Sequence, residues 1–161
     1  MKKAHLLIGA VLLMSGCGDH FNGTYTGTET YQNLNSGFGG QQASPSGPVT
    51  ITLSGDDSGR SVNWVGQFGS GSGKGTSSGN SISGLTMSMN DTGTTGFGMQ
   101  GQAQAATNYN MQITVDDSQK LTAQGTGIGS STPSAQGQFG GFAQQGVGAT
   151  RTATAQQSGS N

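Results

Sequence analysis

Few residues in this chain are suited to chemistry, and their spacing excludes most of it. There is one cysteine, Cys17, and there are two histidines, His5 and His20. A lone cysteine precludes an intramolecular disulfide, and without a second thiol or a His pair no zinc spacing exists. His20 is the only histidine beyond the apolar N-terminal run, so no Ser/His/Asp set is expected. Asp56-Asp57 and Asp116-Asp117 are paired carboxylates of the kind that binds a cation weakly. Arg60 and Lys120 follow closely, and the simpler reading is two solvated turns. Gly71-Ser72-Gly73-Lys74-Gly75-Thr76 has the residue types of a phosphate loop, but at the wrong spacing and with no helix to follow. No catalytic residue, metal ligand or cofactor site is expected, and the chain reads as a non-enzyme. Glu29 and Arg151 remain, and their meaning depends on the strands that carry them.

Those strands arise from an unusual composition. Gly, Ser, Thr, Gln and Asn supply 95 of 161 residues, while hydrophobic residues are 30% and charged residues 8%. Both values are below ordinary globular usage, and glycine is too frequent for stable helices. From Cys17 onward there are four basic and seven acidic residues, a net charge of −3. Nothing there draws the chain to nucleic acid or to an anionic surface.

Eight segments read as strands: 21–31, 49–54, 61–68, 73–77, 81–89, 109–115, 120–128 and 147–155. Val49, Ile51 and Leu53 share one face, with Thr50 and Thr52 opposite. Tyr109, Met111, Ile113 and Val115 alternate in the same way. Ile82 is out of phase with Leu85, Met87 and Met89, which points to a bulge at Gly84. The fourth segment has almost no apolar content. One apolar and one hydroxyl face per strand means half-buried strands. Short turns at 54–60, 78–80 and 116–119 favour an up-and-down order. The expected fold is all-β: a small antiparallel eight-stranded barrel with flexible Gly/Gln/Phe-rich loops, the alternative being a β-sandwich.

This arrangement gives the polar pair a place. Glu29 is in phase with Tyr25 and Tyr31, and Arg151 with Val147, Ala149, Ala153 and Ala155. If apolar faces point inward, both charges do too. The first and last strands are neighbours in a closed barrel, so Glu29 and Arg151 are expected to pair across that seam, or to contact a polar ligand there. Outward threonines at 24, 26, 28, 30, 50, 52, 150, 152 and 154 resemble the regular arrays that order water on ice-binding surfaces. Their simpler role is as polar strand formers.

Four other connections share a Gly/Gln/Phe/Ala composition: 37–43, 66–72, 96–106 and 136–145. In an up-and-down barrel all four lie at one end. They read either as linkers or as a rim in which Phe38, Phe97, Phe139 and Phe142 are exposed anchors for weak multivalent contact.

The N-terminus is an address. Met1-Lys2-Lys3 precede an apolar run from Ala4 to Met14, too short to span a bilayer and of secretory-signal length. Met14-Ser15-Gly16-Cys17 resembles the lipobox of bacterial lipoproteins, with Met in place of the usual Leu. The resemblance implies cleavage before Cys17, acylation of its thiol and new amine, and stable anchoring by several chains. Gly18, not Asp, follows the cysteine, which in that family favours the outer membrane. The expected organisation is a signal peptide over 1–16, a lipidated tether over 17–20, a barrel over 21–155 and a disordered tail over 156–161. The opening Phe21-Asn22-Gly23-Thr24-Tyr25-Thr26-Gly27, the Thr-rich strands and the Gly-Asn turns resemble small calycin-like (lipocalin-like) barrels found on bacterial lipoproteins. No lipocalin signature triplet is present, so the resemblance names no ligand.

The expected function is a membrane-anchored, non-enzymatic binding or interaction barrel in the bacterial envelope. Its partners would be the membrane, through the lipid, and a hydrophobic small molecule, surface polymer or protein. The alternative is a self-associating surface or matrix protein.

Overall fold

A computed structural model of the chain describes residues 20–33, 44–94, 102–131 and 146–159. Its strands are β1 Gly23–Asn33, β2 Ser46–Ser54, β3 Arg60–Gly66, β4 Gly69–Ser78, β5 Ser81–Thr94, β6 Gln102–Val115, β7 Lys120–Ser131 and β8 Gly146–Gln157. Each pairs antiparallel with the next, and β1 pairs with β8, closing an up-and-down barrel. Closure excludes the sandwich.

The two-residue period sets which face goes inside. Val49, Ile51 and Leu53 are buried, and Thr50 and Thr52 between them are partly exposed. A one-residue slip would turn that whole set outward, so burial fixes the register. In β5 the period breaks once. The β5–β6 register shifts between Ile82 and Leu85, and Gly84 takes φ +62° there. This bulge lets Ile82 and Leu85 both face the core despite their odd spacing.

β4 solves the packing problem differently. A Cβ on Gly71 would overlap Met89, and one on Gly73 would overlap Met87. The strand contributes space and its neighbour contributes the side chains, so its sequence carries little apolar signal.

The two barrel ends differ. The β2–β3, β4–β5 and β6–β7 turns share one end with the start of β1. In the first, Asp56 Oδ1 accepts from the Ser58 amide, the Ser58 hydroxyl and the Gly59 amide. Asp116 does the same for Ser118 and the Lys120 amide. These bonds, the Ser58 and Ser118 hydroxyls foremost, hold both carboxyls below the ordinary carboxylate range. The pairs are turn caps.

The β1–β2, β5–β6 and β7–β8 connections leave from the opposite end. β3 and β4 are joined by only Gln67 and Phe68, not by a loop over 66–72. The glycine and serine run from Gly69 pairs with β3 and β5 because small residues allow both neighbours to approach. Three long connections, not four, share that end.

Candidate functional site

Beneath the end with the long connections lies a buried charge network. Glu29 enters from β1, Asp91 from β5 and Arg151 from β8, each at an inward position. Arg151 Nη1 donates to Glu29 Oε2 at 2.6 Å, and Nη2 donates to Asp91 Oδ1 at 2.8 Å. The three side chains are 0%, 1% and 0% exposed in chain order. Trp64 Nε1 donates to Glu29 Oε2 at 2.8 Å, and the Tyr109 hydroxyl donates to Asp91 Oδ2 at 2.7 Å. The Arg151 guanidinium also lies 5.1 Å from the Tyr31 ring centre and 5.6 Å from that of Tyr109, a cation–π geometry.

The network also grips backbone. The Phe68 amide donates to Glu29 Oε1 at 2.9 Å, and the Phe68 carbonyl accepts from Arg151 Nη2. The Phe68 ring stacks on Tyr31 at 6.0 Å. The short β3–β4 hairpin is thus pinned across the barrel by the β1–β8 seam. Gly66 makes this possible, since a Cβ there would overlap the Glu29 carboxylate.

Two carboxylates face one guanidinium. Burial by itself lowers the Arg151 value, but Asp91 and Glu29 outweigh it and hold the group above its ordinary range. Burial, followed by the Asp91 charge, pushes the Tyr109 phenol far up, and does the same to Tyr31 less strongly. Both tyrosines are therefore neutral donors or ring partners at neutral pH. The arrangement orients and braces, and it offers no nucleophile.

The other end is closed by Arg60, which is 0% exposed. Its place just after Asp56 and Asp57 suits a solvated turn base. It instead begins β3 in phase with Val62 and Trp64, so it points inward. Nη1 donates to Asn22 Oδ1 at 2.7 Å and to the Gly55 carbonyl at 2.9 Å. Nη2 donates to Ser77 Oγ and to Asp57 Oδ1, each at 3.1 Å. The guanidinium sits 5.0 Å from the Phe21 ring centre. The Tyr25 hydroxyl donates to the carbonyls of His20 and Phe21, at 3.1 and 3.0 Å. Gln157 Nε2 donates to the Asn22 carbonyl at 3.0 Å. The first described residues are therefore bound to the barrel from several directions.

Of the residues singled out from sequence, the structure brings Glu29 and Arg151 together. Cys17, Phe38, Phe97, Phe139 and Phe142 lie outside the described residues. Asp91 was missed as a partner, although it continues the inward series Leu85, Met87, Met89 by one step. Among the described residues no group of three His, Cys, Asp or Glu side chains is placed to hold a metal ion.

Compared with known proteins, the chain matches no family model, no curated protein and no solved structure.

Proposed function

We propose that this chain is a lipid-anchored envelope protein whose barrel is a non-enzymatic binding or interaction module. In this reading residues 1–16 are removed, Cys17 carries the lipid, and the outer membrane is the favoured location. The observation that carries it is the fixed start of the barrel. Only Gly18 and Asp19 separate Cys17 from His20, and residues 20–22 are bound to the tight-turn end. The three residue steps from Cys17 to His20 reach about 10 Å when extended. The tether then holds that end against the headgroups and directs the long connections away from the bilayer.

The wall supports an anchored barrel rather than an inserted one. Inward residues are mostly apolar and outward ones mostly polar, the reverse of a membrane-spanning barrel. Trp64, Tyr25, Tyr109 and Met87 are each 0% exposed in the interior. That filling favours a surface polymer or a protein as partner over an enclosed hydrophobic small molecule.

Mass spectrometry of the N-terminal peptide tests the anchor. The expected result is a chain starting at Cys17 with acyl groups on its thiol and amine. A processed chain with an unmodified thiol contradicts it. The nearly uncharged wall also favours a second reading, self-association. Sedimentation of the purified protein over a concentration series checks it, and a monomer throughout argues against it.

A further inference from the structure

The outer wall is almost free of charge. Among described strand residues that face outward, only Lys74 and Lys120 are charged. The other charges of the described residues lie in turns or inside. Within this wall a depression of about 490 Å³ crosses β6, β7 and β8. Its size falls within the range of about 300–1,000 Å³ usual for small-ligand sites.

The register explains its shape. Met111, Gly125 and Arg151 are paired across the three strands and give the floor their backbone. One rim is the row Asn110, Thr126, Thr150, and the other is the row Gln112, Gln124, Thr152. The rows stand about 7 Å apart along the strands, with steps of about 4.8 Å between strands. Inward-facing floor residues between two outward rows make a trough running across the strands. Of the six rim side chains, Asn110, Gln112, Gln124, Thr126 and Thr152 are exposed and Thr150 is partly so, which leaves their donors and acceptors open to solvent. Ile128, 76% exposed, stands beside the trough, paired with Asn108 in the next row.

We propose that this trough binds a neutral, polyhydroxylated chain: a glycan. The rim offers amides, which both donate and accept, and hydroxyls, which do the same. It offers no charge to an ionic ligand and no deep apolar pocket to a lipid. Sugar rings present hydroxyl edges and apolar C–H faces, and Ile128 supplies an apolar surface for the latter. The trough lies across the strands on the side wall, so an anchored barrel standing on its tight-turn end leaves it accessible. Ice is a less suitable occupant, because side chains of three lengths around a hollow do not make a flat lattice.

The proposal names a partner class for the interaction barrel proposed above, but it does not rest on the lipid anchor. The test is titration calorimetry of the full chain in detergent with chitohexaose, cellohexaose and maltohexaose. The expected result is binding of at least one of them, weakened roughly tenfold or more in Gln112→Ala/Gln124→Ala through the loss of two hydrogen-bonding amides. Asn63→Ala, on the opposite wall, should leave affinity unchanged, and so should Cys17→Ser. Melting temperatures of all variants should match the parent, since every substituted wall residue is exposed. Loss of membrane attachment with retained binding would fault the anchor alone. Absence of binding to all three at millimolar concentration overturns the proposal. So does binding that ignores the Gln112/Gln124 change, or inhibition of ice recrystallisation without saccharide binding.

Discussion

Arg151 and Glu29 meet at 2.6 Å across the seam where the last strand closes on the first. Residues 122 positions apart are held there with neither side chain exposed. Such a pair cannot form unless the barrel closes in register, because a one-residue slip of either strand sends one charge outside. A third group changes the energetics. Asp91 binds the same guanidinium at 2.8 Å, so Arg151 serves two carboxylates.

That stoichiometry predicts an order of effects. Glu29→Gln leaves Arg151 paired with Asp91, whereas Arg151→Met strands two buried carboxylates. Arg151→Met should therefore be the most damaging single change, costing at least the ~3–5 kcal/mol of a broken buried pair. The double variant Glu29→Gln/Arg151→Met still strands Asp91 and should recover only partly. Adding Asp91→Asn should recover more. Urea unfolding of the four variants checks the order, and a Glu29→Gln loss exceeding that of Arg151→Met would contradict it.

Alkaline pH should act through the same network. The folded values of Tyr109 and Tyr31 are raised by burial and by Asp91. Groups raised on folding contribute stability that is full below their unfolded value, about 10 for tyrosine, and is lost as pH climbs above it. The melting temperature should fall from about pH 10 upward. Tyr109→Phe should flatten that fall while lowering stability at pH 7 through the lost bond to Asp91. On the acid side, Asp56 and Asp116 are lowered, so their contribution is present above about pH 4 and is lost as pH drops through the folded values.

Much of the fold was legible because burial and strand period reinforce each other. Val49, Ile51 and Leu53 show it, as does Tyr109 through Val115. The bulge at Gly84 was readable from the phase break at Ile82. β4 was the least legible, since its inward positions hold glycine and its filling comes from Met87 and Met89 on β5. Charges were legible only where the strand around them was. Glu29 and Arg151 lie between apolar neighbours and were placed inward. Asp91 lies just beyond the expected segment 81–89, and Arg60 just before 61–68 in the expected turn over 54–60. Their inward phase with Met89 and with Val62 becomes meaningful only when the partners are known. Phe68 reads both as the inward-facing end of the third strand, in phase with Val62 and Trp64, and as part of the connection over 66–72, because its own sequence says nothing of the Glu29 and Arg151 groups that bind its backbone.

The close approach at Gly66 gives another test. Gly66→Ala places a methyl group against the Glu29 carboxylate. Overpacking of this kind costs about 1–3 kcal/mol. Denaturant unfolding should show that loss, together with faster hydrogen exchange at the Phe68 amide. An unchanged midpoint would mean that Glu29 is free to move.

At the opposite end, Arg60→Met should release the segment that follows the tether. Four hydrogen bonds from the guanidinium bind Asn22, Gly55, Asp57 and Ser77. Their loss strands the buried Ser77 hydroxyl only in part, since it still donates to Asp57. A destabilisation of about 1.5–3 kcal/mol is expected, with increased amide exchange concentrated at the start of β1. Exchange spread evenly over the barrel would contradict a local clamp.

Orientation on the membrane is the most direct test of the whole account. Single cysteines replace Asp57 or Asp117 at the tight-turn end, and Ser46 or Gln67 at the other, in protein whose Cys17 is acylated. The protein is displayed on the outer face of vesicles and labelled with a bulky, membrane-impermeant maleimide. Positions 46 and 67 should label fast, and positions 57 and 117 slowly, with the difference vanishing once detergent dissolves the vesicles. Equal rates on intact vesicles, or faster labelling at 57 and 117, would contradict a barrel that stands on its closed end.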